Sequence, residues 1–85
     1  MMQIVKSKIL ENLCYTELVY GRINKKLKSQ LSKDQIENKI YQSILDTPVE
    51  DFHRKGKNYY IMSQNIKITI NSNTFRVITV DPVQG

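Results

Sequence analysis

The 85-residue chain predicts an α+β fold, with two N-terminal helices and a short helical turn packed on one face of a three-stranded antiparallel β-meander. Three observations carry that prediction. Apolar residues recur at helical spacing between Ile9 and Leu45. A capping signature, Ser32-Lys33-Asp34-Gln35, opens a helix that Asp46-Thr47-Pro48 closes. From Gly56 to Val80 the sequence GKNYYIMSQNIKITINSNTFRVITV holds three runs rich in β-branched and aromatic residues, separated by two Ser/Gln/Asn clusters.

The first helix is expected over 3–28, on a stripe that includes Ile9, Leu13, Cys14, Leu18, Ile23 and Leu27. Gly21 is its weakest point, since glycine inside a helix costs about 1 kcal/mol relative to alanine. Arg22, Lys25, Lys26 and Lys28 fall in its last turns, where cations suit the negative end of the helix dipole. The second helix is expected over 33–45, with Ser32 as cap, Gln35 reaching back, and Leu31 stapled to Ile36. Its apolar face is Ile36, Ile40, Ile44 and Leu45. A helical turn over 48–54 should follow, capped by Thr47 and tucking Val49 and Phe52 against the core. His53-Arg54-Lys55-Gly56-Lys57 then reads as a basic exit loop in which Gly56 suits a left-handed conformation.

Strands are expected over 57–62, 66–71 and 74–80, with the first at the sheet edge. A tight turn centred on Ser72-Asn73 sets Ile70 opposite Phe75, Ile68 opposite Val77 and Ile66 opposite Thr79, making one apolar face. Tyr59 and Ile61 join that face. The opposite face then presents Tyr60, Met62, Lys67, Thr69, Thr74, Arg76 and Ile78. The helices need one sheet face to bury their stripes, which leaves the second open.

Eighty-five residues suit one domain of modest stability. No apolar run approaches the roughly 18–20 residues of a membrane span, and MMQIVKSKIL lacks the features of a signal peptide. The single Cys14 makes no internal disulfide. A cytoplasmic location without membrane association is expected, and the sequence assigns no oligomeric state. The net charge is +5, divided as +4 over residues 1–31, −1 over 32–56 and +2 over 57–85. Such a balance favours anionic partners, RNA among them.

The chain has one His, one Cys, no Gly-rich phosphate loop and no ligand-spaced carboxylates, so neither a metal site nor a cofactor is expected. The chemistry left open is metal-free RNA cleavage, which needs a base, an acid and a cation for the developing phosphorane charge. The catalytic candidates are His53, Arg76 and Lys67; the nucleic-acid-binding candidates are Lys55, Lys57, Tyr60, Thr69 and Thr74. A plain alternative stands beside each: a solvated sheet face in which Lys and Thr alternate because water is there, and an ordinary loop histidine. Two functional classes follow. One is an RNA-binding or metal-free, toxin-like ribonuclease domain working through the open face. The other is a non-catalytic protein-interaction module, a partner or inhibitor from a mobile element, using the edge strand or the basic helix.

The segments NLCYTELVYGRINKKL, GKNYYI and ITINSNTFRVITVD resemble the bacterial family called domain of unknown function 3781, and NSNTFRVITVD is the most specific of them. That resemblance covers nearly the whole chain and implies no established activity. At a looser level, two helices, a Pro-containing turn and a meander ending in RVITV resemble the RelE/barnase/EndoU/colicin-type nuclease superfamily. This likeness implies helices on one sheet face, RNA on the other without metal, and functional residues on the strand of Arg76 and Thr79.

Overall fold

In the computed structural model, which describes residues 2–83, the helix expected over 3–28 is two helices, α1 (Met2–Asn12) and α2 (Glu17–Leu27). The break lies at Leu13–Thr16 rather than at Gly21. There the backbone leaves the helix to pair with a distant segment: Cys14 N–H donates to the Phe75 carbonyl (3.2 Å), and Val77 N–H donates to the Cys14 carbonyl (3.0 Å). The helical periodicity runs unbroken through this point, so the interruption is a tertiary effect. Gly21 sits inside α2 with nothing within 4 Å of where a Cβ would be. α2 ends at Lys28, whose left-handed backbone (φ 53°) returns its N–H to the carbonyls of Asn24 and Lys25. The Asn24 side chain then pins the link to the next helix, with its Nδ2 donating to the Leu31 carbonyl and its Oδ1 accepting from Leu31 N–H, each at 3.0 Å.

Helix α3 (Lys33–Asp46) starts where its cap predicts. Gln35 N–H donates to Ser32 Oγ (3.1 Å) and Ser32 N–H to Gln35 Oε1 (2.8 Å), the reciprocal pair that satisfies two orphan donors. Ile36, Ile40 and Ile44 are fully buried, whereas Leu45, expected on the same face, is 44% exposed. Thr47 stops the helix before Pro48, its hydroxyl donating to the Ser43 carbonyl (2.6 Å).

The helical turn expected over 48–54 shrinks to one 3₁₀ turn at Val49–Asp51, and the next residues form a fourth strand. The sheet is β1 (Phe52–Lys55), β2 (Asn58–Ser63), β3 (Ile66–Asn71) and β4 (Val77–Pro82), antiparallel throughout, in the order β1-β2-β3-β4. Lys55 pairs with Asn58 across the two-residue turn Gly56-Lys57, in which Gly56 takes φ +62°. The segment 57–62 is therefore internal, and the sheet edges are β1 and β4. Only Phe52 of β1 is buried, so the strand has no apolar alternation for a sequence reading to detect.

The β3–β4 register also departs from expectation. Ile70 pairs with Val77, Ile68 with Val80 and Ile66 with Pro82. Two local features cause the shift. Asn71 Oδ1 accepts from the N–H groups of Asn73 (2.8 Å) and Thr74 (2.9 Å), holding a longer connection than the tight turn. Phe75 closes it in a left-handed conformation (φ 59°), which costs about 1 kcal/mol or more for a non-glycine residue. Its N–H bond to the Asn71 carbonyl (2.9 Å) and its packing on the core offset that strain. A bulge then falls opposite Thr69/Ile70, with Thr79 paired to Thr69 and Val77 to Ile70, leaving Ile78 as the extra residue.

One core joins all the layers. Ile9 of α1, Val19 and Ile23 of α2 and the α3 isoleucines meet Phe52, Tyr59, Ile61, Ile68, Ile70, Val77 and Val80. α2 flanks β4, an arrangement fixed by the Cys14 bridge at one end and by the Lys26–Asp81 ion pair (2.8 Å) towards the other. Among the described residues, no helix is long and apolar enough to cross a membrane.

Candidate functional site

Pairing by strand register sets the residues of the second sheet face in rows. His53, Tyr60, Thr69 and Thr79 stand side by side across all four strands. On one side of that row Lys55 pairs with Asn58 and Asn58 with Asn71; on the other, Met62 pairs with Lys67 and Lys67 with Asp81. Period-2 alternation places the side chains of β1, β2 and β3 together, because the apolar set on the opposite face is committed to the core, and the bulge adds Thr79.

Tyr60 is the centre of the group. The Lys67 ammonium lies 5.7 Å from its ring centroid, a diagonal cross-strand contact within cation–π range. Its hydroxyl accepts from Asn58 Nδ2 (3.4 Å). Lys55, Gly56, Tyr60 and Lys67 line an open hollow of about 430 Å³. His53 is exposed beside it on the edge strand, and Lys57 is exposed in the turn below. Thr69, only 5% exposed, sits low between Tyr60 and Thr79 and serves as floor rather than as a free hydroxyl.

Arg76 and Thr74 lie just before β4, beside Asn71, whose N–H donates to the Arg76 carbonyl (2.9 Å). Both belong to the β3–β4 connection, where Thr74 Oγ1 accepts from Arg76 N–H (3.3 Å), the Thr74 carbonyl accepts from Cys14 Sγ (3.4 Å), and Arg76 bridges Cys14. The longer turn leaves both outside the strand pairs that form the rows. Thr79, expected on the apolar face, is on the open one, again because of the bulge.

The far side of this face is bounded by α2. Gly21, Arg22, Lys25 and Lys26 face Thr79 across a groove of about 660 Å³. Arg22 and Lys25 make no ion pair among the described residues, whereas Lys26 is held by Asp81. Nothing local in the sequence links these helix cations to a strand threonine; only the packing of α2 beside β4 does so.

Two other features differ in character. The groove between the end of α3 and the β2–β3 turn, about 650 Å³, mixes Lys39 with Asp46 and Asp51. Near the α1–α2 connector, Tyr15 stacks on Tyr20 (5.4 Å between centroids), and the Tyr20 hydroxyl donates to Glu37 Oε2 (2.7 Å). Burial, with the Glu37 charge nearby, raises the Tyr15 phenol well above its usual range. Desolvation and the bond to Glu37 push Tyr20 up to about 12. Among the described residues no cluster of His, Cys, Asp and Glu has the makings of a metal centre.

The fold and this face define a small α+β protein in which three helices pack around an antiparallel sheet whose second side is basic and aromatic. The chain belongs to the family described as Protein of unknown function (DUF3781), whose model matches residues 7–81. Neither the curated proteins nor the solved structures include a match to it.

Proposed function

We propose that the chain binds single-stranded RNA across the open sheet face, with Tyr60 as a stacking platform and Lys55, Lys57 and Lys67 as phosphate contacts. The observation that carries this reading is the Lys67–Tyr60 pair, 5.7 Å from ammonium to ring centroid, in a hollow that Lys55 also lines. A half-buried ring flanked by cations offers what a single strand requires, a surface for the base and charge for the backbone. His53, paired with Tyr60 across β1–β2, stands where an imidazole meets a strand passing over that ring. The arrangement of helices on one sheet face and a basic second face agrees with the looser likeness to metal-free nucleases, a fold-level analogy.

The protein-interaction reading gains no support from the edge strand, one of the two features it would use. The edge strand next to the segment expected there, β1, is four residues long and exposes His53, Arg54 and Lys55, which is how natural sheets discourage edge pairing.

Fluorescence anisotropy with a labelled single-stranded RNA, repeated with the same sequence as DNA and over a salt series, tests the proposal. Stacking is worth about 1–3 kcal/mol per base, so Tyr60→Ala should weaken binding roughly 5- to 150-fold. Binding that ignores either salt or Tyr60→Ala contradicts it. In the same samples, products ending in a 2′,3′-cyclic phosphate that disappear with His53→Ala would assign cleavage to this face, and intact RNA would assign binding alone.

A further inference from the structure

The geometry points to a separate phosphate subsite in the groove between α2 and β4, formed by Arg22, Lys25 and Gly21 on the helix and Thr79 on the strand. Three independent observations meet there. Arg22 and Lys25, one turn apart on α2, are exposed and carry no ion pair among the described residues, while their neighbour Lys26 is engaged with Asp81. The groove therefore holds two uncommitted positive charges beside one neutralised pair. Thr79 Oγ1 is buried with no hydrogen-bond partner among the described residues, although burying an unpaired hydroxyl costs stability. A phosphate oxygen that reached it from the groove would accept that proton.

The third observation is Gly21. It lies in the middle of α2 in helical conformation, where alanine is the better residue, and nothing in the described chain approaches within 4 Å of its missing Cβ. No turn, positive φ or close internal packing accounts for a glycine here. A residue without a side chain on a groove wall does let a ligand approach the helix backbone closely. Cations, an orphan donor and a bare stretch of helix together suit a compact, multiply charged oxyanion, and Arg in particular suits phosphate geometry.

The subsite adds to the RNA reading in one respect: Tyr60 and Thr79 are two strands apart in the same row, about 10 Å by the usual strand spacing. A strand whose base stacks on Tyr60 can then lay a neighbouring phosphodiester in this groove. The anion chemistry itself does not depend on that reading, because inorganic phosphate or a nucleotide would meet the same groups.

The test uses the full chain labelled with ¹⁵N. Titration with inorganic phosphate should give saturable shift changes at the amides of Gly21, Arg22, Lys25 and Thr79, with equimolar chloride as the control. Gly21→Leu, which keeps a good helix former and fills the groove, should abolish those changes without lowering the melting temperature. The double variant Arg22→Ala, Lys25→Ala should reduce the salt slope of RNA binding by about 0.7, the share of one phosphodiester on a single strand. If inorganic phosphate perturbs none of these amides, the subsite is overturned. If RNA binding depends on Tyr60 but the double variant leaves the slope unchanged, the phosphodiester assignment fails while the RNA reading stands. If inorganic phosphate binds and RNA does not, the RNA reading fails, and the subsite is one for free phosphate or a nucleotide.

Discussion

Gly21→Ala should stabilise this protein, and the size of the effect follows from the structure. The residue is in the interior of α2, flanked by helical turns on both sides. Nothing lies within 4 Å of an added Cβ, so the methyl group meets no clash and gains little burial. What remains is the intrinsic difference between glycine and alanine in a helix, about 0.9 kcal/mol, arising mainly from the freedom glycine has in the unfolded chain. At roughly 2.1 cal/mol/K per residue, the unfolding entropy of 85 residues is about 180 cal/mol/K, so the melting temperature should rise by about 5 °C. Calorimetry on the two purified proteins reads this directly, and urea titration should give the same sign with an unchanged m-value. A melting temperature that stays constant or falls would refute the reasoning, because it would mean that α2 is broken at Gly21 or that the space beside it is occupied.

Three further outcomes follow. Ile44→Ala, deleting a wholly buried side chain where α3 meets the sheet, should cost about 2–5 kcal/mol, a large share of a small domain's stability, read by chemical denaturation. Ser32→Ala removes the hydroxyl that caps α3 and should cost about 1 kcal/mol; a loss below about 0.3 kcal/mol would mean that the capping box is not formed in solution. Stability should decline in alkali: Tyr20 has its pKa raised in the folded state to about 12 from the ordinary 10.0, so its contribution is complete below pH 10 and is lost as the pH rises through about 12. Tyr20→Phe should flatten that decline, and absorbance at the tyrosinate band should show one fewer late-titrating phenol.

Some of these elements are legible in the sequence because their causes are local. The α3 cap is written in Ser32 and Gln35, and its buried face in Ile36, Ile40 and Ile44. The apolar side of β3, Ile66, Ile68 and Ile70, follows from alternation, and with it the placing of Lys67 and Thr69 on the other side. The break between α1 and α2 is not legible, since its hydrogen-bond partners, Phe75 and Val77, come from the other end of the chain. β1 is hidden for a different reason: a single apolar residue followed by His53-Arg54-Lys55 has no periodicity, and only pairing with β2 makes it a strand. The β3–β4 register fails because a side-chain cap at Asn71, a left-handed Phe75 and a bulge together change the count of residues between paired positions. That miscount leaves Arg76 and Thr74 outside the paired rows and brings Thr79 into the row of Tyr60 and Thr69. The cations of α2 join the face only through packing, so local periodicity assigns them to the helix dipole alone.

The central claim is that the basic, aromatic sheet face is a surface for single-stranded RNA. Its most direct test is the affinity of wild type and Tyr60→Ala for one labelled single-stranded RNA, each measured from low to moderate salt. The account predicts binding by the wild type that falls linearly with the logarithm of salt concentration, and a variant that keeps its melting temperature but binds roughly 5- to 150-fold more weakly. Equal affinity of the two proteins, or wild-type binding indifferent to salt, would contradict it.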